Sequence, residues 1–382
     1  CLFECISTNK GTKGDSLRQY PLGLLQKARW PAQKPTGRLT MKGYHYVGLD
    51  VHKKTIAYCV KEADGAVLDR GTINATRSDL YAFADRLPRP WAGAMEATLF
   101  TGWIYDALLP RADALKVGHS YMLRAICASK KKNDRLDAEK LADALRCDWF
   151  PEAYMPSEDI RQLRMALRYR NLLVREEVRM KNKTAGLLME MGAEYNKQKL
   201  HGMKYFRQLL DSLDHIPDSV KELTQSSHES AKYFEARQKQ LVAALAQRPA
   251  LAERVERLMT IPGVGQITAL TWALEVDDPH RFATVKKAVS YCGLCSAEIE
   301  SAGKRHRSPL SKQRNKHLQT VLIEAAKLSK RWSPAMARIH QKALDRGAHK
   351  NEATIAVARK LVAYLLCVDK SGKDFIEKEM QN

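Results

Sequence analysis

The chain has 382 residues, 45% of them hydrophobic, which suffices for two or three domains of roughly 150 residues with true cores. Lysine and arginine outnumber aspartate and glutamate by 64 to 43, and the net charge of +21 is spread along the sequence. These values exclude a disordered tail and favour a polyanionic partner, DNA or RNA. No apolar run approaches the roughly 18 residues of a membrane-spanning helix, so we expect a cytoplasmic protein.

Eight cysteines are scattered along the chain without the density of a disulfide scaffold, so we expect reduced thiols. Cys292 and Cys295 form a C-x-x-C pair, but no second pair lies at zinc-finger spacing. We interpret them as small buried side chains rather than as metal ligands or redox partners.

Residues 1–40 show no sustained hydrophobic period and lack the long apolar core of a signal peptide. A start-like Met41 follows, and a strand pattern begins directly after it. We expect residues 1–40 to be a flexible leader or an over-extended reading frame. A protein that begins at Met41 should then be equally active.

Residues 41–155 are predicted to form an α/β domain. Apolar and β-branched residues alternate after Met41, and the polar segments 52–54 and 62–65 divide them into three short antiparallel strands. A helix at 78–87 and a buried strand that ends at Glu96 follow, and helices and a strand then alternate towards Pro151. This is the element order of an RNase H-like sheet.

Residues 156–255 contain almost no strand-like pattern. Leu163, Leu167 and Val174 lie near heptad spacing among many arginines, which predicts two or more long basic helices in a helical hairpin or coiled coil. Two interpretations stay open: partner helices set this spacing, or the charged face is simply solvated.

Four carboxylates predict a metal site. Asp134 and Asp137 lie three positions apart at a predicted helix start, so both face one side, although acidic residues also favour a first helical turn. Asp50 and Glu96 end strands that are neighbours in an RNase H-like sheet and face that helix. Converging carboxylates require neutralising cations, and oxygen ligands favour Mg²⁺ or Mn²⁺. Such a pair of ions can cleave a phosphodiester.

Residues 256–382 combine a Pro/Gly turn, helices and a strongly basic loop. Residues 258–274 have the layout of a helix-hairpin-helix, whose turn at Gly263 and Gly265 can face a DNA phosphate; a plain turn between packed helices is the alternative. Ser301 precedes the basic loop, and a serine needs activation and nearby cations to attack phosphorus, so alone it is most simply a loop serine. The candidate phosphate-binding cations are Lys130, Lys131, Lys132, Lys304, Arg305, Arg307, Lys312, Arg314 and Lys316.

Several motifs together resemble the DEDD insertion-sequence transposases, the IS110 family of bridge-RNA-guided recombinases, to which the Piv-type DNA invertases are related. The similarity extends from about Met41 to the C-terminus. In chain order the motifs are VGLDVHKKT with Asp50, MEATLFTG with Glu96, NDRLDA with Asp134 and Asp137, IPGVG, YCGL, ESAGKRHR with Ser301, SKQRN and AVARKLVAYLL.

The resemblance implies a RuvC-like domain at 41–155, a coiled-coil linker at 156–255 and a C-terminal transposase domain at 256–382. It implies metal ligation by Asp50, Glu96, Asp134 and Asp137, and Ser301 as nucleophile. It also implies a dimer to tetramer on double-stranded element ends and target DNA, a structured guide RNA, and a site shared between subunits. We therefore expect a nucleoid-associated bacterial enzyme that excises and inserts its own element through a phosphoserine link, with no nucleotide cofactor.

Three positions depart from the family pattern. Ala302 stands where a glycine usually follows the serine, Arg314 where a K-x-G-N motif has glycine, and Leu99 where a glycine often follows E-A-T. Because Ala302 can alter the loop, Ser296 stays a second candidate nucleophile.

Two other functions remain open. In a metal-dependent nuclease or junction resolvase, the four carboxylates would activate water and Ser301 would have no role. A non-catalytic nucleic-acid-binding scaffold would not need all four carboxylates to be present.

Overall fold

The computed structural model describes residues 43–127, 133–301 and 304–376. The segment predicted as a leader lies outside these residues. A mixed sheet with helices on both faces comes first, and the remainder is mostly helical. The predicted order, an α/β domain followed by helices, is confirmed.

The first part contains five strands and four helices. The strands are β1 (His45–Val51), β2 (Thr55–Lys61), β3 (Val67–Asn74), β4 (Trp91–Glu96) and β5 (Ala114–Gly118), and the helices are α1 (Arg77–Arg86), α2 (Thr101–Leu108), α3 (Ser120–Cys127) and α4 (Asp134–Arg146). The strand order is β3-β2-β1-β4-β5. β1, β2 and β3 are antiparallel, whereas β4 and β5 run parallel to β1.

Alternation along the strands supplies a core on each face of the sheet. On one face, α1 and α2 cover the sheet with side chains that include Leu80, Phe83 and Ile104. On the other face, Leu141 and Leu145 of α4 pack in a second core. The central strand β1 is therefore buried on both sides, which fixes its register and the position of its last residues.

Helix α4 approaches β1 unusually closely, and Gly48 makes this possible. A Cβ atom at Gly48 would lie 1.9 Å from the backbone oxygen of Ala138, so no larger residue fits. Lys61 of β2 fastens the same helix, since its Nζ lies 3.0 Å from Glu139 Oε1 and 2.6 Å from Asp143 Oδ2. Close packing at Gly48 and the two ion pairs of the buried Lys61 together fix the position of α4.

The second part contains nine helices of four residues or more, a short 3-10 turn and a hairpin among the described residues. They are α5 (Glu158–Glu190), α6 (Met203–Ser212), α7 (Asp218–Ala246), α8 (Pro249–Met259), α9 (Gln266–Val276), the turn at Pro279–Arg281, α10 (Val285–Tyr291), β6 (Ser296–Ser301), β7 (Lys304–Leu310), α11 (Lys316–Ser329), α12 (Pro334–Asp345) and α13 (Lys350–Ser371). α5 and α7 pack along each other.

One large core joins the helices after α7. Trp272 and Leu274 of α9 lie at its centre, and Leu167 of α5 and Leu245 of α7 belong to it as well. Helix α8 runs across the boundary predicted between residues 255 and 256. The ends of the two long helices are thus part of the C-terminal core.

The prediction of a basic loop around Ser301 is wrong in part, because this segment forms the antiparallel hairpin β6–β7. Its register sets Glu298 opposite Arg307 and Glu300 opposite Arg305. The prediction considered only the basic residues of this segment and not the strand pairing between its two halves.

A buried carboxylate joins the long helix α5 to the C-terminal core. Glu275 on α9 is 1% exposed and receives two hydrogen bonds of 2.8 Å from Arg168 of α5. Asn315, the N-cap of α11, donates a third at 2.8 Å. Burial alone would raise the pKa of Glu275, but Arg168, with Asn315 and Arg164, holds it below its usual value.

We expect Gly48→Ala to destabilise the protein by about 3 kcal/mol, because the new methyl group must push α4 off the sheet. Chemical denaturation measures this change. Gly186→Ala is the matched control: it lies in α5 with open space around its Cβ position, and alanine there should stabilise the helix by about 0.5 kcal/mol. Equal stabilities of the two variants would contradict the close contact.

We expect Arg168→Leu to cost about 2 to 3 kcal/mol, since it leaves the buried Glu275 carboxylate short of its main partner. The pKa of Glu275 is depressed in the folded state, so this stabilisation is complete above the ordinary pKa and declines as pH falls. The difference between the variant and wild type should therefore narrow in acid. Arg179→Leu, which breaks an exposed pair with Glu176, should cost less than about 0.5 kcal/mol.

Candidate active site

Two neighbouring strands of the sheet each carry a carboxylate residue at their carboxyl end. Leu49 of β1 pairs with Met95 of β4, so the following residues, Asp50 and Glu96, lie side by side near the carboxyl ends of parallel strands. Both side chains line one cavity at this edge. The sheet register therefore brings together two residues that are far apart in sequence, as predicted.

Helix α4 supplies the other two carboxylates from its first turn. Asn133 caps the helix, because its Oδ1 accepts a 3.0 Å hydrogen bond from the amide of Arg135. Asp134 and Asp137 follow in the first turn, where the helix dipole favours negative charge. The contact of α4 with Gly48 then holds this turn against the end of β1.

Asp50 is common to two groups of side chains. With Glu96 and Asp137 it lines the cavity. With His52 and Asp134 it forms a group whose possible ligand atoms all lie within 4.8 Å of one another. His52 Nε2 lies 3.2 Å from Asp50 Oδ2 and 3.4 Å from Asp134 Oδ2, so its ring bridges β1 and α4.

The donor atoms suit a hard cation. Asp137 Oδ1 is buried and has no hydrogen-bond partner among the described residues, and Lys140 Nζ, at 3.9 Å, is beyond hydrogen-bond distance. A buried carboxylate oxygen without a hydrogen bond is costly unless a cation approaches it. Carboxylate oxygens are the ligands that Mg²⁺ and Mn²⁺ prefer. The cavity therefore fits a divalent metal ion.

Electrostatics at Asp50 lead to the same conclusion. Burial raises the pKa of Asp50, and the negative charges of Asp134 and Asp137 raise it further, whereas His52 opposes the shift. The site thus concentrates negative charge that its own side chains only partly neutralise.

The loop after Glu96 is held by short hydrogen bonds. Thr101 Oγ1 donates to the backbone oxygen of Glu96 at 2.9 Å and accepts from the amide of Thr98 at 2.7 Å. Ser120 Oγ of α3 donates to the oxygen of Ala97 at 2.7 Å. These bonds fix the rim of the cavity on the β4 side.

The predicted serine lies on the hairpin. Ser301 ends β6 and pairs with Lys304 at the start of β7, and Ser296, the second candidate, is exposed at the other end of β6. Ala302 lies outside the described residues, as do Lys130, Lys131 and Lys132. The remaining predicted cations lie on the hairpin or just after it: Lys304, Arg305 and Arg307 on β7, and Lys312, Arg314 and Lys316 between β7 and the first turn of α11.

Three glycines lie in the turns before the hairpin, and two of them have a positive φ. Gly263 has φ +86° and packs against Ser329 of α11, so the turn between α8 and α9 requires glycine for its backbone conformation and for its packing. Gly265 is exposed with open space around it. Gly293 has φ +71° and packs against the side chain of Arg314, whose Nη1 donates to Ser311 O at 2.9 Å.

Sequence reasoning missed His52 and Lys61. His52 follows Asp50 by two positions, which places it at the same end of β1, and this spacing was a usable signal. Lys61 is a buried cation at the end of β2, and only the fold shows that Glu139 and Asp143 of α4 lie opposite.

Two transposase families and several transposases match the sequence of this chain. A DEDD transposase family of the IS110 type matches residues 47–192, and the transposase IS116/IS110/IS902 family matches residues 255–341. The IS1328 transposase of Yersinia enterocolitica is 24% identical over 335 residues, which cover 86% of this chain and 98% of that protein. The IS1111A transposase of Coxiella burnetii is 27% identical over 362 residues, or 91% and 93% of the two chains.

A pilin gene-inverting protein of Moraxella bovis is 28% identical over 129 residues, which is 33% of this chain and 40% of that protein. The acidic sheet edge and these matches define a DNA transposase. The chain belongs to the IS116/IS110/IS902 transposase family, of the DEDD type, as its motifs indicate. This family implies a divalent metal ion and DNA binding. Within the described ranges, no helix has both the length and the apolar character needed to cross a bilayer.

We expect Asp137→Asn to weaken Mg²⁺ or Mn²⁺ binding while it stabilises the metal-free protein. The substitution removes a charge that repels Asp50, and a neutral amide oxygen is a weaker ligand for a divalent cation than a carboxylate. Thermal unfolding with and without metal, together with calorimetric titration, measures both effects. Asp69→Asn on β3, away from the cavity, should leave metal affinity unchanged. Full metal affinity in Asp137→Asn would contradict the proposed site.

Proposed function

We propose that this transposase excises and inserts its own insertion sequence by metal-assisted serine transesterification. The observation that carries the proposal is the cavity of Asp50, Glu96 and Asp137, in which the buried Asp137 Oδ1 has no hydrogen bond among the described residues and only a 3.9 Å ion pair with Lys140. Asp134 completes the carboxylate set through the group that it forms with Asp50 and His52. A site built for a hard cation at a sheet edge suits phosphodiester chemistry.

In the same proposal, the chain has three regions with separate roles. Residues 41–155 form a RuvC-like domain, which the order β3-β2-β1-β4-β5 supports. Residues 156–255 form a coiled-coil region, which the packing of α5 on α7 supports. Residues 256–382 form the C-terminal transposase domain, in which α8, the turn at Gly263 and Gly265, and α9 act as a helix-hairpin-helix that meets a DNA phosphate.

Ser301 acts as the nucleophile in this mechanism. A bond forms between Ser301 Oγ and phosphorus while the bond from phosphorus to the 3′ oxygen breaks, and the serine proton ends on that oxygen. The products are a 5′-phosphoserine link and a free 3′ hydroxyl. Reversal of the step with another 3′ hydroxyl rejoins the strand, so no nucleotide cofactor is needed.

The chain's own side chains have separate tasks. Asp50, Glu96, Asp134 and Asp137 hold Mg²⁺ or Mn²⁺, which when bound stabilises negative charge on the reacting phosphate. Lys304 and the other hairpin cations, and Lys312 and Lys316, orient the DNA backbone and balance its charge.

The partners in this proposal are double-stranded DNA at the element ends and target, and a structured guide RNA. The net charge of +21 supports a nucleic-acid partner. A dimer to tetramer would assemble the site, with the carboxylates from one subunit and Ser301 from another. The protein would act on the bacterial nucleoid.

A hydrolytic nuclease is the second candidate function. The carboxylate cavity alone suits activation of water, and Ser301 would then have no chemical role. Covalent attachment of DNA to the protein separates the two mechanisms.

We expect denatured protein from cells that carry the element with its flanking DNA to retain covalently attached DNA. The attachment should disappear in Ser301→Ala and in Asp134→Asn, because one reaction needs both groups. It should persist in Ser296→Ala. Cleaved DNA without attachment in the wild type would favour water as the nucleophile, and loss in Ser296→Ala alone would move the nucleophile to Ser296.

We expect DNA affinity to fall steeply with salt, because phosphate contacts release counterions. Lys312→Gln should lower the DNA affinity. It should also make the plot of the logarithm of affinity against the logarithm of salt concentration less steep, by about 1 in slope for one lost phosphate contact. Asp134→Asn should keep most of the affinity. A flat salt response would contradict phosphate contacts as the source of binding.

A further inference from the structure

The rim of the carboxylate cavity carries an apolar side chain that the catalytic proposal leaves unused. Leu99 is 94% exposed, although it lies between Thr98 and Phe100, which both line the cavity. Hydrogen bonds on both sides of Leu99 hold the backbone of its loop: Thr98 Oγ1 accepts from the amide of Phe100 at 3.2 Å, and Thr101 Oγ1 donates to the backbone oxygen of Glu96 at 2.9 Å. The loop therefore presents the side chain of Leu99 to solvent at the rim of the cavity.

Helix α3 adds two more exposed apolar side chains beside this loop. Glu96 pairs with Gly118 across β4 and β5, and Ser120 Oγ bonds to Ala97 O, so the start of α3 lies against the loop. Tyr121 and Met122 follow at once and are 57% and 56% exposed. We call Leu99, Tyr121 and Met122 the rim patch.

The size and the surroundings of the rim patch decide what can occupy it. Three side chains are far too few for a stable protein interface, which needs about 800 Å² on each partner. The patch borders a cavity that binds a phosphodiester in the proposed function, and Lys53 in the same cavity adds a positive charge. In the proposed function, a strand whose phosphate lies at the carboxylates would bring its neighbouring bases towards the rim.

We propose that the rim patch stacks on an unpaired base of the DNA strand next to the scissile phosphate. Leucine and methionine side chains insert between bases, and aromatic rings stack on them. Such stacking would hold the strand out of the duplex at the point of cleavage. This inference rests on the proposed function, because it assumes that the cavity receives a DNA strand.

The test measures the binding of two fluorescent single strands, each about 20 nucleotides long, in the presence of Ca²⁺. One strand is an oligothymidylate, and the other is an abasic chain of equal charge. Wild type should bind oligothymidylate more tightly. Combined Leu99→Ser and Tyr121→Ser should lose about tenfold in affinity for oligothymidylate and nothing for the abasic chain. Leu68→Ser, an exposed leucine on β3 at the opposite edge of the sheet, is the matched control and should bind like wild type.

Equal wild-type affinity for the two strands would overturn the inference, as would an equal loss for both strands in the double variant. Tighter binding of oligouridylate, lost in the same variant, would assign the patch to RNA and overturn its assignment to DNA. Photocrosslinking of iodouracil-substituted DNA to Tyr121 in the wild type gives a readout that does not depend on how the variants fold. The covalent-attachment experiment tests the proposed function separately, because it needs Ser301 and not Leu99.

Discussion

The contact of α4 with β1 at Gly48 is the constraint on which the acidic edge depends. Asp50 is fixed by the sheet, whereas Asp134 and Asp137 belong to a helix that must come close enough to share a cation with it. Only a strand position without a side chain allows that approach. The attraction of Lys61 for Glu139 and Asp143 holds the helix there against the repulsion among the carboxylates.

The second half of the molecule solves a different problem, the connection of a long helix to a compact core. Arg168 and Arg164 of α5 reach Glu275 and the end of α9, and Asn315 joins the same carboxylate to the start of α11. Because α11 follows the hairpin that carries Ser301, a single buried charge links the long helix to the base of that hairpin. Displacement of α5 near Arg164 and Arg168 would break these hydrogen bonds.

Local patterns in the sequence were sufficient for the α/β sheet and for the carboxylates. Asp50 and Glu96 end clear strand patterns, and Asn133 with Asp134 gives an ordinary helix start, so each could be placed from its neighbours in sequence. The hairpin at Ser296 and the bridge made by His52 depend on residues that meet only in three dimensions. In the sequence, Glu275 is a charged residue in an otherwise apolar helix. Its neighbours in sequence do not indicate that Arg164 and Arg168 bind to it.

Gly48 has a consequence for reading related elements. The activity of a related copy of the element could be inferred from whether its four carboxylate residues are present. A copy with all four carboxylates but a bulky residue at position 48 would carry a complete signature and a displaced helix. Such a copy would be inactive, and the residue that shows this lies at a buried position away from DNA and metal.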